Sequence, residues 1–499
     1  MIPSSLLLLL SCQAPARLPA QPDSGTEPLD SGDGGDVGDG GGGRDGGGLG
    51  DGGDGGGSGD GGTEDGGTED GGGSTTKAAL PNILLVISDD LGVDASACYE
   101  APVSTRAPQP TIEALCARGL VFDSAWSQPT CSPTRASLLT GRYPYRHGVA
   151  EPLADHLPGL TLDERLIPAV LDAAGSGYAH AAFGKWHLGT DANGGLSHPT
   201  LAGFSSFVGT WGGGVSSYRS WERVQDGVVT PVEGYLTSQT VDDALSWIGA
   251  QTSPWFALVG FHAAHSPIHL PPEELHSYEL SGEAEDIAAR GPAYFQSMIE
   301  EMDTELGRLL EGLPPGALDS TVVIYLADNG TVSELNSGTW PLGHGKSSVY
   351  LGGVLVPLIV AGPDIVEPGR RVSGLVDVVD LFPTILELAG LSSEDWHDEE
   401  LPIDGISLVP ALLDPAVLPT RTFQLAEWLP SNTEWVGTGR TISDGRFKLM
   451  RYRDGSRALY DIRVDPMELS PLDLETLEAE ASAALTGLEA ELDRRPLPD

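Results

Sequence analysis

The sequence predicts an α/β fold: one large mixed sheet sandwiched by helices, then a small C-terminal α+β subdomain. Three observations carry this. Continuous apolar runs at 82–87, 255–261 and 321–327 have the pattern of strands buried on both faces. Segments with apolar residues at helical spacing lie between the runs, and that alternation argues for a layered α/β domain. Past about residue 423 the pattern changes. Segments 446–451 and 458–461 flank Asp454-Gly455, a hairpin signal, and 474–492 reads as a final amphipathic helix. The chain divides into 1–12, 13–77, a main domain at 78–425 and a subdomain at 426–499.

The first twelve residues are apolar and end in Ser11-Cys12. They are similar to a bacterial lipoprotein signal, although short and without Lys or Arg ahead of the apolar run. That similarity implies export, with Cys12 lipidated at a bacterial cell envelope and membrane contact through this anchor alone. No stretch elsewhere reaches the ~18 apolar residues of a membrane span. Residues 13–77 are rich in Gly and Asp, with 14 acids against 3 bases. So little apolar surface predicts a disordered spacer. Calcium-binding glycine–aspartate repeats need a regular large apolar residue, and the Gly/Asp-rich part offers only Val37 and Leu49. The formal charge of −45 argues against general nucleic-acid binding.

From residue 82 onward, polar groups sit at the ends of the expected strands. Asp89 and Asp90 follow 82–87, Lys185 and His187 follow 178–183, His262 and His265 follow 255–261, and Asp328 and Asn329 follow 321–327. Ligands of open α/β sheets bind at those carboxyl ends. Helices are expected at 111–118, 166–174, 240–248, 294–310 and 381–390, the last stopped by Gly390. Asp89, Asp90, Asp328 and Asn329 offer hard oxygen donors, which suit Ca²⁺ or Mg²⁺ better than zinc. His262, His265 and His269 have a spacing that invites zinc, but Pro267 argues against the helix it would need.

The segment Cys131-Ser-Pro-Thr-Arg135 reads as the start of a helix, with proline near the first turn. Backbone N–H groups at such a start favour an anion, and Arg135 adds a positive charge one turn along. Cys98 and Cys116 are left either as small buried apolar residues or as a disulfide.

Cys-x-Pro-x-Arg followed by Leu139-Thr-Gly-Arg142 resembles the sulfatase signature. The resemblance extends to Gly184-Lys-Trp-His187, Ala264-His265-Ser-Pro267, Gly343-His-Gly-Lys346 and the acidic pairs at 89–90 and 328–329, and covers roughly 78–470. It implies that a formylglycine-generating enzyme oxidises Cys131 to formylglycine, whose hydrate is the nucleophile. It implies one Ca²⁺ held by Asp89, Asp90, Asp328, Asn329 and the modified Cys131. Arg135 supports the site, and Lys185, His265 and Lys346 contact sulfate. Lys346 also helps protonate the leaving oxygen, His187 takes a proton from the hydrate, and His147 is structural. The substrate class is a sulfated small molecule or carbohydrate. The chain departs from the family at Leu351, where glutamate is usual, which bears on how the Lys346 segment is positioned. Two alternatives use the same residues: a phosphomonoester or phosphonate hydrolase, and a silent surface protein that binds sulfated glycans.

Overall fold

In the computed structural model the described residues are 80–100, 106–154, 156–336, 338–431 and 438–496. The leader, Cys12 and the Gly/Asp-rich segment lie outside them. Fourteen strands are present among the described residues. The large sheet holds β1 (Asn82–Ser88), β2 (Gly119–Trp126), β3 (Ala179–Lys185), β4 (Ser206–Thr210), β5 (Ser220–Gln225), β6 (Val228–Glu233), β7 (Trp255–Gly260), β8 (Thr321–Ala327), β9 (Leu358–Ala361) and β10 (Arg371–Asp377). Their order is β10-β2-β9-β8-β1-β7-β3-β4-β5-β6. The centre is parallel: β1 pairs with β7 and β8, and β3 with β7 and β4. β9 runs antiparallel between β2 and β8, and β5 and β6 form an antiparallel edge hairpin, so the sheet is mixed.

β1 shows why the centre reads as an unbroken apolar run. Leu84 and Val86 enter the core on one face and Ile83, Leu85 and Ile87 the core on the other. All five are at most 1% exposed. Full burial of such a side chain contributes about 1.5–3 kcal/mol. Helices Leu236–Ile248, Gly291–Glu311 and Pro110–Arg118 cover the first face, and Cys131–Thr140, Ile167–Ala173 and Leu381–Leu388 the second.

Register then places the site. Ser88 lies opposite Ala327, and Ile87 opposite Gly260. The ladder bonds continue past the strands: the Asp328 N–H donates to Ser88 O at 3.0 Å, and the Asp89 N–H to Ala263 O at 3.1 Å. Residues 89–90, 261–265 and 328–329 therefore leave the sheet side by side.

The smaller sheet holds β11 (Gln424–Trp428), β12 (Gly439–Ser443), β13 (Phe447–Tyr452) and β14 (Arg457–Asp461), all antiparallel in that order. One face packs on Leu488 and Leu492 of the helix Ala479–Asp493, the other on Val349 of the main domain. That helix is shorter than 474–492, because Asp473 folds the preceding residues into a turn, accepting from Glu475 N–H at 3.0 Å and the Thr476 hydroxyl at 3.0 Å. Cys98 and Cys116 form a disulfide. No helix among the described residues is long and apolar enough to cross a membrane.

Candidate active site at the strand ends

Six charged side chains from five segments meet beyond the carboxyl ends of β1, β3 and β8. Lys185 ends β3 and its ammonium pairs with Asp89 Oδ2. Arg135 donates from Nε at 3.0 Å and Nη2 at 2.9 Å to Asp328 Oδ2, and from Nη1 to Lys185 O at 2.8 Å. The Lys346 ammonium pairs with Asp90 Oδ1, which also accepts from Asn329 Nδ2 at 2.8 Å. Asp90 takes the left-handed conformation at φ 62°, one that aspartate tolerates. Apart from Lys346, whose side chain is 11% exposed, these groups are shut away from solvent.

Cys131 opens the helix Cys131–Thr140, all ten residues of which are buried. Its Sγ lies 3.2 Å from His187 Nδ1. His187 Nε2 lies 3.0 Å from Leu153 O, a carbonyl that can only accept, so the proton belongs on Nε2 and Nδ1 is free to accept one. His187 sits at φ 59°, which turns its ring back toward the helix start. Gly213 packs on that ring so closely that a Cβ would fall 2.2 Å from His187 Cε1.

His265 lies in the turn after β7, buried, with its ring within ligand reach of Asp89 and Asp90. Burial, then Lys185 and Lys346, pull its pKa down and favour the neutral imidazole. Two features of the donor set fit a hard cation. Asp89 Oδ1 and Asn329 Oδ1 are buried without a hydrogen-bond partner. The carboxylates also oppose each other. Burial pushes Asp89 up, but Lys185 and His265 together hold it below its ordinary value, whereas burial and the Asp89 charge push Asp328 well above. A divalent ion would relieve that opposition.

The structure brings Asp89, Asp90, Cys131, Arg135, Lys185, His187, His265, Asp328, Asn329 and Lys346 together. His147 lies apart and buried, 3.1 Å from the Ser137 hydroxyl and accepting from Val149 N–H, and burial lowers its pKa to about 3. His262, just past the end of β7, is a buried structural residue. It is 2% exposed and paired through Nε2 with the Thr210 hydroxyl. Sequence reasoning missed Tyr218, whose hydroxyl lies 2.9 Å from His262 O and 2.7 Å from His265 O and ties down the turn bearing His265. No local pattern marks Tyr218, which stands in a Gly/Ser loop. Leu351 at the family's glutamate position donates its backbone N–H to Glu468 Oε2 at 2.5 Å.

A thiol at a helix start, faced by an imidazole, two lysines and hard oxygen donors, is the equipment of an enzyme acting on a tetrahedral oxyanion group. Residues 81–391 match the family model described as Sulfatase, and 344–493 match N-sulphoglucosamine sulphohydrolase, C-terminal. The chain belongs to the sulfatase family. It is 30% identical over 367 residues to human N-acetylgalactosamine-6-sulfatase, covering 67% of this chain and 66% of that protein. It is 29% identical to human arylsulfatase A, covering 77% of each. The solved structure of Ps i-CgsB in complex with k-i-k-neocarrahexaose shares the fold at TM-score 0.69, with 24% identity over 83% of this chain and 92% of that one. The chain thus spans just under two thirds of the length of N-acetylgalactosamine-6-sulfatase.

Proposed function

We propose that the protein hydrolyses sulfate esters, of a carbohydrate or an aryl alcohol, with a nucleophile derived from Cys131. The observation that carries this is the meeting of Cys131 Sγ with His187 Nδ1 at 3.2 Å, in a centre that also holds Lys185 and Lys346. The sugar sulfatase and arylsulfatase among its relatives support the substrate class.

Asp89, Asp90, Asp328 and Asn329 would hold one Ca²⁺, which when bound supplies positive charge to a sulfate oxygen and to the nucleophile. Conversion of Cys131 to formylglycine would supply a hydrated aldehyde whose hydroxyl can attack sulfur. Lys185, His265 and Lys346 bind the sulfate oxygens, replacing the hydration that burial removes. Arg135 keeps Asp328 oriented. His187, with Nδ1 toward residue 131, takes a proton there. Lys346, the least enclosed of the three cations, donates a proton toward the leaving oxygen at the outer side. In this reading 1–12 is a lipoprotein signal, Cys12 a lipid anchor at a bacterial envelope and 13–77 a spacer. Residues 78–425 form the catalytic domain and 426–499 the C-terminal subdomain.

The test is the mass of the fragment 119–135 from active enzyme. It should lack one sulfur and two hydrogens and gain one oxygen relative to the thiol form. An active preparation holding only the thiol overturns the mechanism. Assay of one aryl leaving group as sulfate, phosphate and phosphonate decides the substrate class, and a higher kcat/KM on a phosphorus ester overturns it.

A further inference from the structure

Resting on that reading, we infer that Lys448 of the small sheet and Glu468, in the turn that follows it, are positioning residues for Lys346. Lys346 lies in an irregular segment, 343–350, that must hold an ammonium in place without a strand or helix to fix it. The segment is anchored at both ends by two adjacent residues of the C-terminal region. At one end His344 Nδ1, kept neutral by burial, donates to Met467 O at 3.1 Å, and its ring stacks on Tyr350 at 3.6 Å. At the other, Glu468 Oε2 accepts the Leu351 N–H.

Glu468 is built for this. It is 3% exposed and takes a left-handed backbone at φ 56°, and its second oxygen pairs with the Lys448 ammonium, which lies 5.3 Å from the Trp126 ring centre. Burying two charges is costly unless the pair is well made. The pair is therefore a demanding way to satisfy one N–H at the start of the short helix Leu351–Val354. What it adds is a fixed point, because a buried ion pair has one geometry. Between the anchors, the Lys346 N–H donates to Thr331 O at 2.9 Å and the Ser347 N–H to Pro129 O at 2.9 Å, tying the segment to the strand end bearing Asp328 and to the approach to Cys131. Val349, fully buried, packs on Trp428, Met450 and Tyr460 of the small sheet. The small sheet thereby sets where the proton donor stands.

The test compares an alkyl or sugar sulfate, which needs its leaving oxygen protonated, with 4-nitrophenyl sulfate, which does not. In Glu468→Ala, kcat on the alkyl ester should fall by about 10–100-fold with little change in KM. On the nitrophenyl ester it should fall several-fold less, and amide exchange should rise within 343–351. The double variant Glu468→Gln, Lys448→Met keeps an acceptor for the Leu351 N–H and leaves no buried charge unpaired but lacks the ion pair's fixed geometry, so it should recover the alkyl-ester rate only in part. If Glu468→Ala does not fold, His344→Ala removes the other anchor and should shift the same ratio. Equal losses on both esters with unchanged exchange overturn the inference, as does a double variant no better than a truncation. A wild-type enzyme inert toward both esters strikes the function itself, and the exchange data then decide alone whether Glu468 holds the segment.

Discussion

The helix Cys131–Thr140 stands between two buried charge clusters, and they are built to opposite ends. At its start are Asp89, Asp90, Asp328, Arg135, Lys185 and Lys346. Past its end are Tyr143, Asp377, Asp380, Asp404 and Arg421. The second is almost closed upon itself. Arg421 donates to both oxygens of Asp380, with Nε at 2.8 Å from Oδ2, and its Nη1 donates to the Tyr143 hydroxyl at 2.9 Å. Asp380 also accepts the Asp377 and Ile406 N–H groups, and Asp404 accepts Tyr143 N–H and the Tyr145 hydroxyl. The first leaves two oxygens aimed at nothing and sets carboxylates against each other. Burial alone does not mark a functional centre, since both are buried. What separates them is degree: in the second only Asp377 Oδ1 lacks a partner, on a carboxyl that burial raises to about 7, whereas the first leaves both Asp89 Oδ1 and Asn329 Oδ1 for a group from outside to complete.

That contrast is open to attack from either side. Cys131→Ala should lower turnover by about a millionfold, the scale for losing a covalent nucleophile, while leaving Tm within a few degrees. A folded variant with substantial turnover would break the comparison at its strongest point. Arg421→Met should do the reverse. It strands the Asp380 carboxylate and should cost about 3–5 kcal/mol by urea denaturation, with turnover per folded molecule unchanged. A stable but inactive Arg421→Met would mean that the second cluster is functional after all.

The two clusters were not equally legible in the sequence. The first was in large part, because Asp89, Asp90, Lys185 and Asp328 follow apolar runs that read as buried strands, and a parallel sheet brings strand ends together whatever their separation in sequence, while Lys346 was reached only through the sulfatase resemblance. Asp89 and Asp328 are 239 residues apart, yet both were expected in one crevice. The second joins a loop after a helix, a strand end, a 3-10 turn and a residue just before β11, with no shared periodicity. Tyr218 escaped for the same reason: its partners are backbone carbonyls, and any residue supplies a carbonyl. The large sheet's centre and the β13–β14 hairpin were also legible. The edge strands β5 and β6 were not, since β6 is exposed on both faces and carries Pro231, so no alternation marks it.

The pH dependence of stability sharpens the contrast further. Burial, with Asp380 pushing the same way and Arg421 opposing, raises Asp377 to about 7. The folded protein then holds a proton between the ordinary aspartate pKa and about 7 that the unfolded chain has released. Stability from this group is fully present below pH 4 and is lost as pH rises through 7. The ceiling is about 4 kcal/mol. Asp377→Asn should flatten this slope in denaturation curves taken from pH 4 to pH 8 and match the wild type most closely at the acid end. An unchanged slope would place the proton elsewhere.

The smallest expected effect is the most direct reading of the unfinished cluster. If Asp89 Oδ1 and Asn329 Oδ1 are cation donors, Ca²⁺ binds the folded chain and not the unfolded one, and stability must rise with its concentration. At a hundred times Kd the gain is about 2.7 kcal/mol, seen as a rise of a few degrees in Tm and reversed by a chelator. The thiol form of Cys131 serves for this measurement, so it does not depend on maturation or turnover. Asp89→Asn should abolish the shift. It also removes the partner of Lys185, so Asp89→Asn should be less stable than wild type without calcium, yet indifferent to its addition. Asn329→Ala is the cleaner variant, because it deletes one orphaned oxygen and leaves every ion pair in place. It also removes the Nδ2 that donates to Asp90 Oδ1, so its chelated stability should fall by less than that of Asp89→Asn, and it should lose much of the calcium response. A calcium response that survives both substitutions would place the ion elsewhere, and the first cluster would then be as self-contained as the second.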